Sequence, residues 1–299
     1  PENLRRAYSY MLGLSATPIN GKQNEYGIAL LDFFGGLAYN LPIEEALERN
    51  FLVHYNYFPV YVTATSAEEE NFNAISSNMA GCFRDGVLID RERFVKYVRA
   101  RLRIMGMAEE KLARIKTLVD QIKEKDHFVV YCGDGRLFHE QDEEIRHIQF
   151  VQNQMDDMGI RTSQFTANEN MDRRMELVDM FNKQEIDALV AIRCLDEGIN
   201  IPSIKSALIL SSNDNYREFV QRRGRILRQY PGKTIAHIYD VIVLPSFANR
   251  QFAEIELRRF YEYCRLALNN DKLIPLLEQT MAEYGLNYDD IKFKNEYVY

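Results

Sequence analysis

The sequence has no tryptophan and only four cysteines, eight prolines and fifteen glycines in 299 residues. Cys82, Cys132, Cys194 and Cys264 are scattered without Cys-x-x-Cys spacing. That excludes a disulfide-stapled scaffold and suits a chain kept reduced, with the cytoplasm as the expected compartment. No apolar run approaches the ~20 residues that cross a bilayer, and Pro1-Glu2-Asn3-Leu4-Arg5-Arg6 is no signal peptide, so no membrane partner is expected. Internal repeats and low-complexity linkers are absent. The net charge of -7 does not suit a protein that coats nucleic acid wholesale, although it leaves room for a localised basic track. What is present, 46% hydrophobic and 27% charged residues, is the composition of a globular protein rather than a disordered or collagen-like one. At ~100–200 residues per domain the length suits about two domains. The first residue is Pro rather than Met, which points to a piece of something longer.

The middle of the chain alternates strand and helix signals. His127–Cys132, Thr162–Phe165, Ala188–Ile192, Ser206–Leu210 and Ile235–Val243 are short apolar runs that read as strands, and Pro59–Thr65 reads as another. Between Gln141 and Met158, Ile145, Ile148, Val151, Met155 and Met158 recur at helical spacing. Helices are also expected over Ala67–Met79, Arg91–Ile104, Ala108–Ile122, Met171–Asn182 and Tyr216–Arg228. Ala248–Leu268 and Leu273–Tyr284 read as amphipathic helices that leave the sheet. Apolar strands alternating with helices predict an α/β fold, a parallel sheet covered on both faces. Ligands of such sheets bind at the carboxyl ends of strands, which directs attention to the segments after Cys132, Ile192 and Leu210.

Three segments carry chemistry. Strand-like Tyr10-Met-Leu-Gly-Leu14 runs into Ser15-Ala16-Thr17-Pro18, whose hydroxyls suit a turn and an N-cap. Arg193-Cys194-Leu195-Asp196-Glu197-Gly198-Ile199-Asn200-Ile201-Pro202 follows a buried strand and places a glycine where backbone approaches something closely. On a helix, Gln221, Arg225 and Arg228 share one face, and two guanidiniums aligned there suit a polyanionic ligand. Arg222 and Arg223 flank that face, to pair with acids or touch a backbone. A solvated basic face is the plainer reading of the same arginines.

Taken in order, Ser15-Ala-Thr-Pro18, Gly198-Ile-Asn-Ile-Pro202 and Gln221-Arg-Arg-Gly-Arg-Ile-Leu-Arg228 resemble motifs III, V and VI of superfamily 2 (DEAD/DEAH-type) helicases. Cys194-Leu-Asp-Glu-Gly198, Phe33-Phe-Gly-Gly36 and Tyr55-Asn-Tyr-Phe-Pro59 resemble the DNA-repair (XPB-like) and restriction-subunit branch more than the DEAD-box RNA branch. The resemblance covers roughly residues 8 to 245. It implies a RecA-like, P-loop NTPase fold: the end of a first lobe with motif III over 1–20, a connector over 21–52, a second lobe over 53–245 and a helical C-terminal extension over 246–299. ATP with Mg²⁺ would lie between the two lobes, held mainly by the other one. Arg225 and Arg228 would be arginine fingers and Gln221 a contact to the triphosphate or its water. Gly198 and Glu197 would approach the γ-phosphate side, Asn200 the ribose, and Ser15 and Thr17 would couple nucleotide state to lobe movement. DNA, single-stranded or duplex and without sequence preference, would contact Gly133, Asp134, Thr166, Arg173, Arg174, Arg193 and Cys194.

Neither a G-x-x-x-x-G-K-[ST] phosphate loop nor the acidic motif II of that family occurs. The implied function is therefore the C-terminal motor lobe of an ATP-dependent DNA helicase or translocase, inactive by itself, partnered by its own N-terminal lobe and by a nuclease or repair protein. The alternatives are a non-hydrolysing RecA-like interaction scaffold, an RNA-directed helicase, and a small-molecule α/β enzyme, for which no nucleophile–base pair is in sight. Among weaker signals, Arg91, Arg93, Lys96, Arg99, Arg101 and Arg103 form a basic stretch that reads as a solvated helix face or a phosphate track. His139, Glu143 and His147 recur at four-residue spacing, but on a helix the outer two lie ~12 Å apart, so no metal site is expected. Phe252, Phe260, Tyr261 and Tyr263 read as core rather than base-stacking residues.

Overall fold

A computed structural model describes residues 10–15, 25–122, 125–139, 143–192, 200–212, 216–246 and 249–292. Its centre is built from the runs that are apolar on both sides. β4 (Phe128–Tyr131), β8 (Ala188–Ala191) and β9 (Ser206–Ile209) are buried at every residue. Strands of this kind have no wet face and so belong inside a parallel sheet. They lie in a six-stranded sheet of order β1-β10-β9-β4-β8-β7, with β1 spanning His54–Thr63, β7 Thr162–Phe165 and β10 Ile235–Leu244. Every neighbouring pair is parallel.

β1 begins five residues before the expected Pro59 and pairs with β10 from His54↔Ile235 to Thr63↔Leu244. The alternating Tyr55 and Tyr57 are fully buried, and Pro59 is tolerated because β1 is an edge strand. Side-chain alternation sends Val129 and Tyr131 to one face and Phe128 and Val130 to the other. The first face is covered by α8 (Met171–Asn182), α9 (Tyr216–Ile226), α10 (Arg250–Cys264) and α11 (Asn270–Glu283). The second is covered by α3 (Ser66–Ala80), α4 (Arg91–Gly106), α6 (Ile115–Gln121) and α7 (His147–Asp156). The shorter elements α1 (Glu25–Phe34), α2 (Ile43–Glu48), the hairpin β2 (Phe83–Arg84) and β3 (Val87–Leu88), and α5 (Glu109–Ala113) lie around this sandwich. No helix among the described residues is long and apolar enough to cross a membrane.

Four expectations are corrected. The helical period from Gln141 does not begin there: β6 (Glu143–Arg146) pairs antiparallel with β5 (Arg136–His139), and the helix starts at His147. His139 and Glu143 are thus opposite each other across a hairpin rather than one turn apart. The segment Ala108–Ile122 is two helices that meet at Arg114. Tyr10–Leu14 is exposed and is not a strand. The C-terminal helices do not leave the sheet, since Ala253, Leu257, Phe260 and Tyr263 of α10 lie in the core shared with β1 and β10. A buried ionic network fastens them. Arg259 Nε is 3.0 Å from Asp240 Oδ2, its Nη1 is 2.7 Å from Glu256 Oε1, and Tyr57 donates to Asp240 at 2.9 Å.

Candidate nucleotide and nucleic-acid site

Chain order reverses between β4 and β9: β4 leads out toward β7, and β9 leads through α9 toward β10 and β1. A crevice opens outside the carboxyl ends of strands at such a point. A cleft of about 270 Å³ lies there, lined by the post-β4 loop (Cys132–Gly135), Ser211 and Ser212 after β9, and Arg99 and Arg103 of α4. Close approach requires the small residues. A side chain on Gly106 would collide with Ser211 Oγ, and one on Gly133 would place its Cβ 3.0 Å from the same atom. The Gly133 N–H donates to His147 Nδ1 at 3.1 Å. Below the floor, Lys111 donates to the Leu210 carbonyl at 2.7 Å and the Met105 carbonyl at 3.0 Å. Burial pulls the Lys111 ammonium down to about 8. Burial, with the nearby Lys111 charge, pulls His147 down to about 4, so the ring is neutral at neutral pH.

Of the predicted rim, Gly133 and Asp134 line this cleft. Thr166, at the end of β7, stands two strands from β4, ~10 Å away at the usual strand spacing. Its hydroxyl accepts from the Asn168 N–H at 3.1 Å and its carbonyl accepts from Arg174 at 2.9 Å. Arg173 sits in an exposed pair with Glu176 at 2.7 Å. Arg193 and Cys194 lie outside the described residues. Of the basic stretch, Arg99 and Arg103 line this cleft, and helical spacing separates them from Arg101. Arg101 turns inward, buried, with its guanidinium 4.3 Å from the Phe72 ring centre.

The second cluster forms where α9 ends. Arg222 and Arg223 face inward and are almost wholly buried. Arg222 pairs with Glu218 at 2.5 Å and its guanidinium stands 4.2 Å from the Tyr131 ring centre. Arg223 donates to the Glu262 carbonyl and lies 3.8 Å from the Glu262 carboxylate. Gln221, Gly224, Arg225 and Arg228 are half-buried on the other side. The helix stops at Ile226, so Arg228 is presented by the turn that follows, where it bridges to Leu52. Its Nη1 donates to Asn200 Oδ1. Burial and the neighbouring Arg225 guanidinium both push the Arg228 pKa down, as expected for two cations placed side by side. An anion bound between them would relieve that repulsion. Glu197, Gly198 and Thr17 lie outside the described residues, and Ser15 is exposed. Among the described residues no cluster of His, Cys, Asp or Glu is placed to hold a metal ion.

Comparison with known proteins gives the same frame. Residues 110–229 match the helicase conserved C-terminal domain, a span that begins beside Lys111 and ends one residue beyond Arg228. The chain is 25% identical over 249 residues to the DNA 3'-5' translocase XPB2 of Sulfurisphaera tokodaii, covering 75% of this chain and 51% of that protein. It is 22% identical over 239 residues to a protein of Sulfolobus islandicus filamentous virus described as a helicase, covering 78% of this chain and 38% of the other. Over 110 residues it is 31% identical to the UvrABC system protein B of Edwardsiella ictaluri, covering 35% of this chain and 16% of that one. Among solved structures, the C-terminal part of the Fun30 ATPase domain superposes with a TM-score of 0.47 at 14% identity, over 78% of this chain and 97% of that one. The chain therefore spans about half or less of the length of these curated relatives. The match over residues 110–229 and the six-stranded parallel sheet flanked by helices make the chain similar to the C-terminal, RecA-like lobe of superfamily 2 helicases of the XPB-like or UvrB-like kind.

Proposed function

We propose that this chain is the C-terminal motor lobe of an ATP-dependent DNA helicase or translocase. The observation that carries the reading is the juxtaposition of Arg225 and Arg228, half-buried at the end of α9, with Arg228 held by Asn200. ATP with Mg²⁺ would supply the phosphoryl group, and the paired cations fit its polyanionic end. The metal and the inner phosphates fall to an N-terminal lobe, so the chain alone is expected to hydrolyse almost nothing. Arg225 and Arg228 would neutralise charge spreading over the phosphoryl oxygens, a contribution of ~10³–10⁵ in rate in related phosphoryl-transfer enzymes. Gln221 would orient the triphosphate or the attacking water. Asn200, whose oxygen accepts from Arg228, keeps its amide nitrogen for the ribose. Glu197 and Gly198 would border the γ-phosphate, with Ser15 and Thr17 coupling the site to lobe movement.

The cleft between β4 and β9 would take the nucleic-acid backbone. Gly133 and Asp134 lie in its floor, Arg99 and Arg103 on its wall, and Thr166, Arg173, Arg174, Arg193 and Cys194 would continue the rim. Phosphate contacts of this kind position a strand without reading its sequence. DNA is favoured by the similarity to a DNA translocase. The test is fluorescence anisotropy of this chain with labelled single-stranded DNA, duplex DNA and RNA between about 50 and 200 mM salt. We expect salt-sensitive DNA binding, with Arg99→Gln plus Arg103→Gln lowering the salt slope by about 2. Tighter binding to RNA would replace DNA as the substrate, and no binding to any of the three would favour a scaffold.

A further inference from the structure

The triplet Gly232-Lys233-Thr234 ends like a phosphate loop, but the fold turns its ammonium inward. Residues 230–233 make a tight turn closed by the Lys233 N–H on the Tyr230 carbonyl at 3.0 Å. Gly232 has φ +79°, the left-handed conformation a type II turn needs at its third residue, and Pro231 suits the second. β10 begins at Ile235, so the backbone of Lys233 is fixed from both sides.

The side chain, 8% exposed, reaches three carbonyls: Ile226 at 2.5 Å, Arg228 at 2.9 Å and Pro202 at 3.4 Å. An ammonium has three N–H donors, one for each. The first is the carbonyl of the last residue of α9, where helical partners run out, and the second belongs to the turn that follows. The third belongs to the segment that carries Asn200. Between them the Leu227 carbonyl accepts from the Val53 N–H at 2.8 Å. Each carbonyl from Ile226 to Arg228 therefore has a donor, and one side chain joins the two segments whose side chains meet in the Arg228–Asn200 hydrogen bond.

We propose that Lys233 is the positioning residue of Arg228: its ammonium ties the end of α9 to the Asn200–Pro202 segment and so fixes where the guanidinium stands. The proposal rests on the ATP reading above. Burial pulls the Lys233 ammonium down to about 7, a cost that an apolar residue filling the same space would not carry. A helix end that only needed closing could be met by a left-handed glycine, whereas bridging two segments takes a long donor.

The test compares wild type, Lys233→Met, Lys233→Arg and Arg228→Ala in the full-length protein, by DNA-stimulated ATPase and by hydrogen exchange. Lys233→Met is expected to lower kcat at least tenfold with KM for ATP within twofold. Its amides around 227–229 should exchange at least tenfold faster while β4 and β8 stay protected. Lys233→Arg, which keeps the donors, should retain kcat within threefold. An unchanged kcat in Lys233→Met, where Arg228→Ala has lost turnover, overturns the proposal. Uniformly faster exchange across the whole sheet overturns it as well, because the role would then be general stability. If Arg228→Ala itself turns over normally, the ATP reading fails instead. Where Lys233→Met does not fold, Lys233→Gln is measured in its place against the same outcomes.

Discussion

Arg222, Arg223, Arg225 and Arg228 lie within seven residues, and their surroundings divide them. Arg222 and Arg223 are buried against Glu218, Tyr131 and Glu262, while Arg225 and Arg228 stay half-open beside each other. Helical spacing puts Arg222 and Arg223 at the flank of the face that carries Arg225, so part of that division was legible in the sequence, whereas Arg228 is placed by the turn after α9. The bond from Arg228 to Asn200 was not, because it joins residues 28 apart with β9 and α9 between them, a contact that no periodicity encodes. His147 was equally hidden, having been read with His139 and Glu143 on one helix. Its burial has a measurable consequence. The ring titrates at about 4 in the fold against an ordinary 6.5, so on acidification the unfolded chain takes up the proton first. Stability contributed by the neutral ring is whole above about pH 6.5, falls as pH drops toward 4 and is flat below. At ~1.4 kcal/mol per pH unit the loss amounts to about 3 kcal/mol. His147→Asn keeps an acceptor for the Gly133 N–H and loses the titration. Urea unfolding at several pH values should show a shallower acid slope in the variant, and equal slopes would place the acid sensitivity elsewhere.

The parallel strands and the long amphipathic helices were the elements most readable from the residues, because both-sided burial and helical period speak for themselves. β7 and α8 fall where the pattern put them, and β4, β8, β9 and β10 within a residue or two. The β5–β6 hairpin was missed because Ile145 and Ile148 extend the period of α7 backwards into a strand. In α4 the arginines read as one basic face, yet the helix turns Arg101 under Phe72 and leaves Arg99 and Arg103 on the cleft. The C-terminal helices show the opposite error. Their amphipathic faces were legible, but the ionic network that seats α10 on β10 depends on Asp240, a charge inside an apolar strand. Replacing Arg259 by Met would leave Asp240 and Glu256 buried without their cation. Loss of one partner from such a network costs about 3–5 kcal/mol. Equilibrium unfolding of Arg259→Met should show a destabilisation of that size, and a loss below about 1 kcal/mol would make the network dispensable.

At the scale of the molecule, the two candidate surfaces lie at opposite ends of the parallel sheet: the cleft is outside the carboxyl ends of β4 and β9, and the arginine pair is beside Leu52, where the chain enters β1. The cleft forms where β4 and β9 run apart in chain order, and the arginine pair sits at the far end of the helix that leaves β9. Under the proposed reading, one sheet would carry both a wall for a phosphate backbone and an arginine pair for a triphosphate. The rest of the triphosphate site would then come from elsewhere, since the sequence carries no G-x-x-x-x-G-K-[ST] loop. The most direct measurement is DNA-stimulated ATP turnover by the full-length protein, wild type against Arg228→Ala. The account predicts stimulation by DNA in the wild type and a loss of ~10³ or more in the variant. Turnover in Arg228→Ala equal to wild type would contradict it.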